Sequence, residues 1–271
     1  MEKAGRNIVS EDHVSRILLE EMNAVQVREN INKKTIAVLI FGACENHGNH
    51  MPFGSDFIFP EELAKRTVAK SRKKSIIILP PIPYGASLHH NEFQMTMSLE
   101  PYTLEMVIED LFSSIIKNGI SRILVINGHD GNISPIENAA RKTKDRHKEV
   151  VIACLEAWWI SIGEITSGLF DVWQGLGHGG EAETSTMLAV RPDLVDMNFA
   201  PEEVIPRLPS EKVRIYWKFD ELTNTGATGA PRKASVQKGE EALKALETTL
   251  LSFLDEMDET NWGYGLSLKK S

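Results

Sequence analysis

Four short runs of apolar, largely β-branched residues recur along this chain, separated by helical patterns, and that alternation leaves few folds open. Residues 35–43 (TIAVLIFGA), 75–79 (SIIIL), 122–126 (RILVI) and 150–155 (VVIACL) are near-continuous in hydrophobicity. Such runs suit strands buried on both faces of a parallel sheet. Helical patterns fill residues 56–69, 104–118 (closed by Gly119) and 134–147, which predicts βαβ units and a mostly parallel sheet covered on both faces. In such sheets ligands bind beyond the carboxyl ends of the strands. An amphipathic helix is expected over residues 11–22, where Val14, Ile17, Leu18 and Met22 fall at helical spacing, and another over 236–257. Residues 200–235, with Pro201, Pro206, Pro209 and Pro231, read as a long loop of the kind that often closes over a site.

At 271 residues, with 42% hydrophobic and 25% charged, the chain is expected to form one globular domain spanning 1–271. A net charge of −8 argues against nucleic-acid binding, which needs clustered cations. The basic stretches 72–74 and 141–148 are short, and the second alternates in sign like a solvated helix face. The polar start and the brevity of the longest apolar run, residues 36–41, give no sign of export or membrane insertion. Two cysteines, Cys44 and Cys154, do not make a disulfide framework. The cytoplasm is therefore the expected compartment.

The chemistry-bearing residues cluster at strand ends. After the first run come Glu45 and His47, two residues apart so that both project to one side of extended backbone, and then Asp56 at a helix start. Carboxylate and imidazole ligands suit zinc, manganese or iron, and a carboxylate placed like Asp56 can bridge two ions. Each residue alone reads as a surface histidine or a helix cap, but their clustering favours a metal site. The third run ends in Asn127-Gly128-His129-Asp130-Gly131-Asn132, where flanking glycines permit a sharp turn and make His129 the natural fourth ligand. A phosphate cradle is the weaker reading, since the P-loop lysine is missing. A third cluster, residues 177–185 (GHGGEAETS), opens a helix to about residue 190. Here His178 is placed for acid–base work, and Glu183 for a metal ligand or an orienting catalytic carboxylate, against the plainer reading of a helix-dipole partner.

With these motifs assembled, the chain resembles the creatininase (creatinine amidohydrolase) family. The resemblance rests on E-N-H-G-N-H-M-P with its downstream S-D, G-A-S-L-H-H-N-E-F at 85–93, N-G-H-D-G-N, H-G-G-E-A-E-T-S, and T-G-A-T-G-A-P-R-K-A-S-V-Q-K-G at 225–239. It implies a three-layer α/β/α sandwich, two divalent ions per chain (Zn, Mn or Fe) and a homo-oligomer, typically a hexamer. The implied reaction is hydrolysis of a C–N bond in a cyclic or formylated small molecule by metal-activated water. By position, Glu45 and His129 would hold one ion, His47 the second, and Asp56 would bridge them. Ser87 and His90 would meet substrate, and His178 would transfer the proton.

Two departures from the family pattern matter. Creatinine-hydrolysing members carry a glutamate two residues after the strand-end histidine, where this chain has Gly131, so either the second-metal carboxylate comes from elsewhere, with Glu183 the candidate, or the second site is weak. The family's F-P-G-T becomes Phe93-Gln94-Met95-Thr96. Trp173, near His178, could stack on a flat substrate or fill the core. Three other readings stay open: a peptidase acting on a modified precursor peptide, a metal-binding scaffold or lapsed enzyme, and a cysteine hydrolase using Cys44.

Overall fold

The computed structural model describes residues 17–71, 75–171, 177–209, 213 and 215–266. The four predicted strands form as β1 (Ile36–Phe41), β2 (Ile76–Ile78), β3 (Arg122–Asn127) and β4 (Val151–Leu155). They make one parallel sheet in the order β2-β1-β3-β4. Along β1, Ile36, Val38 and Ile40 face one side and Ala37, Leu39 and Phe41 the other, each exposed by 1% or less. Such two-sided burial explains why the runs read as continuous rather than alternating.

Helices cover both faces. In chain order they are α1 (Ala24–Asn30), α2 (Ser55–Lys70), α3 (Pro101–Lys117), α4 (Ile133–Arg146), α5 (Trp158–Ile165), α6 (Glu181–Val190) and α7 (Val236–Glu259). One face packs against Phe59 and Leu63 of α2, Ile162 of α5 and Leu246 and Leu250 of α7. The other packs against Leu104, Ile108 and Phe112 of α3 and Ile136 of α4. The result is a three-layer α/β/α sandwich, in which each fully buried Leu, Ile or Phe contributes about 1.5–3 kcal/mol over its exposed state. Arg141, Lys142 and Arg146 of the basic stretch pair with Glu137, Glu105 and Glu109 at the surface, as a solvated face should. No helix among the described residues is long and apolar enough to cross a membrane.

One element departs from expectation. Residues 11–16 and 72–74 lie outside the described residues, and 17–22 form only a short turn, Leu19–Glu21, instead of an α-helix. Ile17 accepts a hydrogen bond from Ile78 N–H at 2.7 Å and Leu18 bridges Ile78 in parallel, so this segment caps the β2 edge. Its apolar residues bury against a strand, which their helical spacing did not reveal. The helix forms later, as α1, where Asn23 and Gln26 make a reciprocal capping box.

The topology also fixes where a ligand binds. From β1 the chain passes outward to β2, then crosses to β3 on the other side and continues to β4. The direction therefore reverses between β1 and β3, and the crevice at their carboxyl ends is the expected binding place.

Candidate metal centre

Glycines bring the centre together. β1 and β3 pair in register through Phe41 and Asn127, so Gly42 and Gly128 lie side by side, and both press on the first turn of α2. A Cβ on Gly128 would stand 1.7 Å from the Asp56 carbonyl oxygen, and one on Gly42 would stand 2.6 Å from it. That carbonyl would ordinarily accept from the residue four further along the helix, which is Pro60 and has no N–H. Asp56 can thus be wedged against the ends of two strands that deliver Glu45, His47 and His129.

Each imidazole has one nitrogen held by the protein and the other turned to a carboxylate. His47 donates Nδ1–H to the Glu45 carbonyl (3.1 Å) and sets Nε2 2.9 Å from Asp56 Oδ1. His129 sets Nδ1 3.2 Å from both Glu45 Oε1 and Asp56 Oδ2, while Nε2 donates back toward Ser87 Oγ (3.2 Å) and the Ala86 carbonyl (3.3 Å). Fixing one nitrogen in this way is how proteins aim the other at a metal. Two buried triads whose ligand atoms lie within 4.8 Å of one another share Asp56, namely Glu45–Asp56–His129 and His47–Asp56–Glu183. A third group joins Glu45, His47 and His178.

The chain's own charges leave this cluster unsatisfied. Both oxygens of Glu45 and Oδ2 of Asp56 are buried without a hydrogen-bond partner, an arrangement that costs free energy unless a cation completes it. Without metal, the imidazoles fill that role as imidazolium ions. Burial opposes the charge on His47, yet Asp56 and then Glu183 and Glu45 push it up to about 10. His129 is raised well above its usual value by Glu45 and Asp56, against its burial. Despite burial, Glu45 is held well below the carboxylate range by the histidines around it, His129 foremost. Burial is the main cause that lifts Glu183 to about 7. The donor set of buried carboxylates, three of whose oxygens lack a hydrogen-bond partner, and pre-aimed imidazoles fits a divalent pair.

Gly131 departs from the family for a physical reason. A Cβ there would lie 2.0 Å from the Ala86 carbonyl oxygen and 2.7 Å from His129 Nε2, so the turn after β3 has no room for a side chain. Gly131→Glu is therefore expected to add no metal-binding capacity and to destabilise the fold by about 1–3 kcal/mol. Zinc content together with urea unfolding checks this, and a gain of bound zinc at unchanged stability would refute it. Glu183, at the start of α6, places a buried carboxylate beside His47 and Asp56.

The remaining expected residues fall into two groups. His178 donates Nε2–H to the Asn46 carbonyl at 2.7 Å and lies 3.8 Å from Glu45 Oε1. Burial and then the charge on His47 push it down to about 4, so it is neutral. Ser87 lies behind His129 as a hydrogen-bond partner, and His90 is buried with Nε2 3.7 Å from Glu45 Oε1. Trp173 lies outside the described residues. Burial first, then Glu45 and Asp56, raises the Cys44 thiol, the opposite of what a nucleophile needs.

Sequence reasoning passed over His89, Trp217 and Phe219. The His89 ring stacks nearly parallel to His129 (centroids 5.5 Å, 9°), and Phe219 packs on His90 (4.1 Å) and His178 (4.9 Å). The available signal was the paired His89-His90 and the aromatic alternation Trp217-Lys218-Phe219 inside an otherwise featureless loop.

This is an α/β/α sandwich with acidic and imidazole side chains converging at the switch point of its sheet, where such folds bind ligands. The chain belongs to the creatininase family, whose model, described as creatinine amidohydrolase, matches residues 20–254. It is 27% identical to creatinine amidohydrolase of Pseudomonas putida over 229 residues, which covers 76% of this chain and 83% of the relative. It is 28% identical to the mycofactocin precursor peptide peptidase of Mycolicibacterium smegmatis over 209 residues, covering 73% and 76%. Both names are those of hydrolases of amide bonds. A creatininase crystal structure superposes with a TM-score of 0.80 at 23% identity, covering 89% of this chain and 97% of that one. Other solved creatininases are described as Mn and Zn–Zn forms.

Proposed function

We propose that the chain is a divalent-metal-dependent amidohydrolase that cleaves a non-peptide C–N bond, in a cyclic amide or formamide, using two ions. Glu45, Asp56 and His129 would hold one ion, and His47, Asp56 and Glu183 the other. The observation that supports this most is Asp56 shared between two buried triads, with both Glu45 oxygens and Asp56 Oδ2 lacking a hydrogen-bond partner. Ions bound there would polarise a carbonyl and activate water near neutral pH.

The protein's part is positional. Ser87 and the Ala86 carbonyl orient His129, and the Glu45 carbonyl orients His47. His178 is neutral, so it acts as a relay that takes a proton before giving one to the leaving nitrogen, with Nε2 held at the cluster's edge by Asn46. A second reading, hydrolysis of a modified precursor peptide, is favoured by the similarity to the mycofactocin peptidase.

The test loads the purified protein with zinc or manganese and assays creatinine, simple formamides and short peptides before and after chelation. Hydrolysis of a small amide that chelator removes and metal restores supports the first reading, and cleavage of peptides alone supports the second. Unchanged hydrolysis in fully metal-stripped protein would defeat both.

A further inference from the structure

The strongest unassigned feature is the aromatic segment carried in from the long loop. Phe219 is 3% exposed and seals His90 and His178 from one side. Trp217 packs on Phe219 (5.5 Å) and meets His89 nearly edge-on (5.9 Å, 72°), and His89 in turn stacks on His129. The order of burial runs from buried Phe219 to half-buried His89 and Trp217 at the rim. Lys218, between the two aromatics, clamps the segment down by donating to the Leu88 carbonyl at 2.9 Å and lying 3.6 Å from Glu92. At the rim His89 therefore stacks on the ligand His129, buried Phe219 covers the proton carrier His178, and Trp217 packs on both His89 and Phe219.

We infer that Trp217 and His89 form a specificity wall that receives a planar, unsaturated group attached next to the scissile amide. This rests on the metal-centre reading above and narrows its substrate class to amides bearing a flat ring. Three points carry it. Half-buried aromatic rings beside a cation site gain most from a flat π-bearing partner. Lys218 fixes the wall's distance from the ligands, so selection would come from a preformed surface. The wall also stands on the loop and the 88–93 turn, not on the residues that would bind metal, so specificity and metal binding are separable by mutation.

A binding test avoids dependence on turnover. Acetohydroxamate and benzohydroxamate carry the same metal-binding group and differ in the ring, so each is titrated calorimetrically into zinc-loaded wild type, Trp217→Ala and Trp217→Phe, with zinc content measured in every sample. The expected result is that benzohydroxamate binds wild type about tenfold more tightly than acetohydroxamate. That preference should collapse toward unity in Trp217→Ala and return in Trp217→Phe, with acetohydroxamate affinity and zinc content unchanged. Equal affinity for the two probes in zinc-replete wild type overturns the wall and leaves the metal centre standing. A preference that survives in Trp217→Ala does the same. A folded chain that retains no zinc and binds neither probe overturns the metal centre, and the wall with it.

Discussion

Asp56→Asn is expected to abolish stoichiometric binding of both metal ions, whereas Glu183→Gln should remove only one, and elemental analysis of the two variants beside wild type reads out the difference. The asymmetry follows from membership, because Asp56 belongs to both buried triads and Glu183 to one. An amide in place of the Asp56 carboxylate leaves a neutral oxygen facing His47 and His129, which now approach Asp56 at 2.9 and 3.2 Å. Loss of metal polarisation is worth several kcal/mol of barrier, so hydrolysis by Asp56→Asn is expected to fall by about a thousandfold or more. Glu183→Gln should retain more activity than that. Asp56 also occupies a tight steric seat between Gly42 and Gly128, which the isosteric asparagine preserves, so circular dichroism should show a folded chain. Equal metal contents in the two variants would refute the shared-carboxylate arrangement.

What the sequence disclosed and what it hid follow physical lines. Strands buried on both faces leave an uninterrupted apolar run, so β1 and β3 were legible to within about a residue or two, as such boundaries generally are. Glu45, His47 and Asp56 were legible together because one strand end and the next helix start lie close in sequence. Glu183 was harder to read, since a glutamate in a helix's first turn normally serves the dipole, and only the fold brings it to His47. Gly131 was visible as an absence, but its cause, the Ala86 backbone against which it packs, was not. His89, Trp217 and Phe219 come from segments some 130 residues apart, in turns without periodicity, and their meeting is a tertiary fact. The stretch around Leu18 misled because burial against a strand edge can imitate helical spacing over a few residues.

The overall affinity for the two zinc ions should rise steeply with pH, by roughly a hundredfold per unit around neutrality (about tenfold for each ion), because each ion displaces a proton held by the metal-free cluster. The sign follows from the titrating groups. His47, pushed up to about 10, and His129, raised well above its usual value, are both protonated in the metal-free chain at pH 7 and must lose those protons to become ligands. Glu45 and Asp56 are shifted downward and are already ionised, so they add no proton. Two protons released per two ions bound gives a slope of about two in the summed log affinity against pH, steepening below about 7 as Glu183 also protonates. The slope should fall as the imidazoles lose their protons in the metal-free chain, for His47 as pH passes about 10. Without metal the same shift runs the other way for stability. A raised folded-state pKa on His47 stabilises the chain fully below the unfolded value near 6.5, and that contribution is lost as pH climbs toward 10. Alkaline conditions thus weaken the metal-free chain while strengthening its hold on metal, so the gap in melting temperature between zinc-loaded and stripped protein should widen from pH 6.5 to 9. Competition titrations against a chelator of known affinity at several pH values measure the slope directly, and a slope near zero would mean that neither His47 nor His129 gives up a proton to a metal.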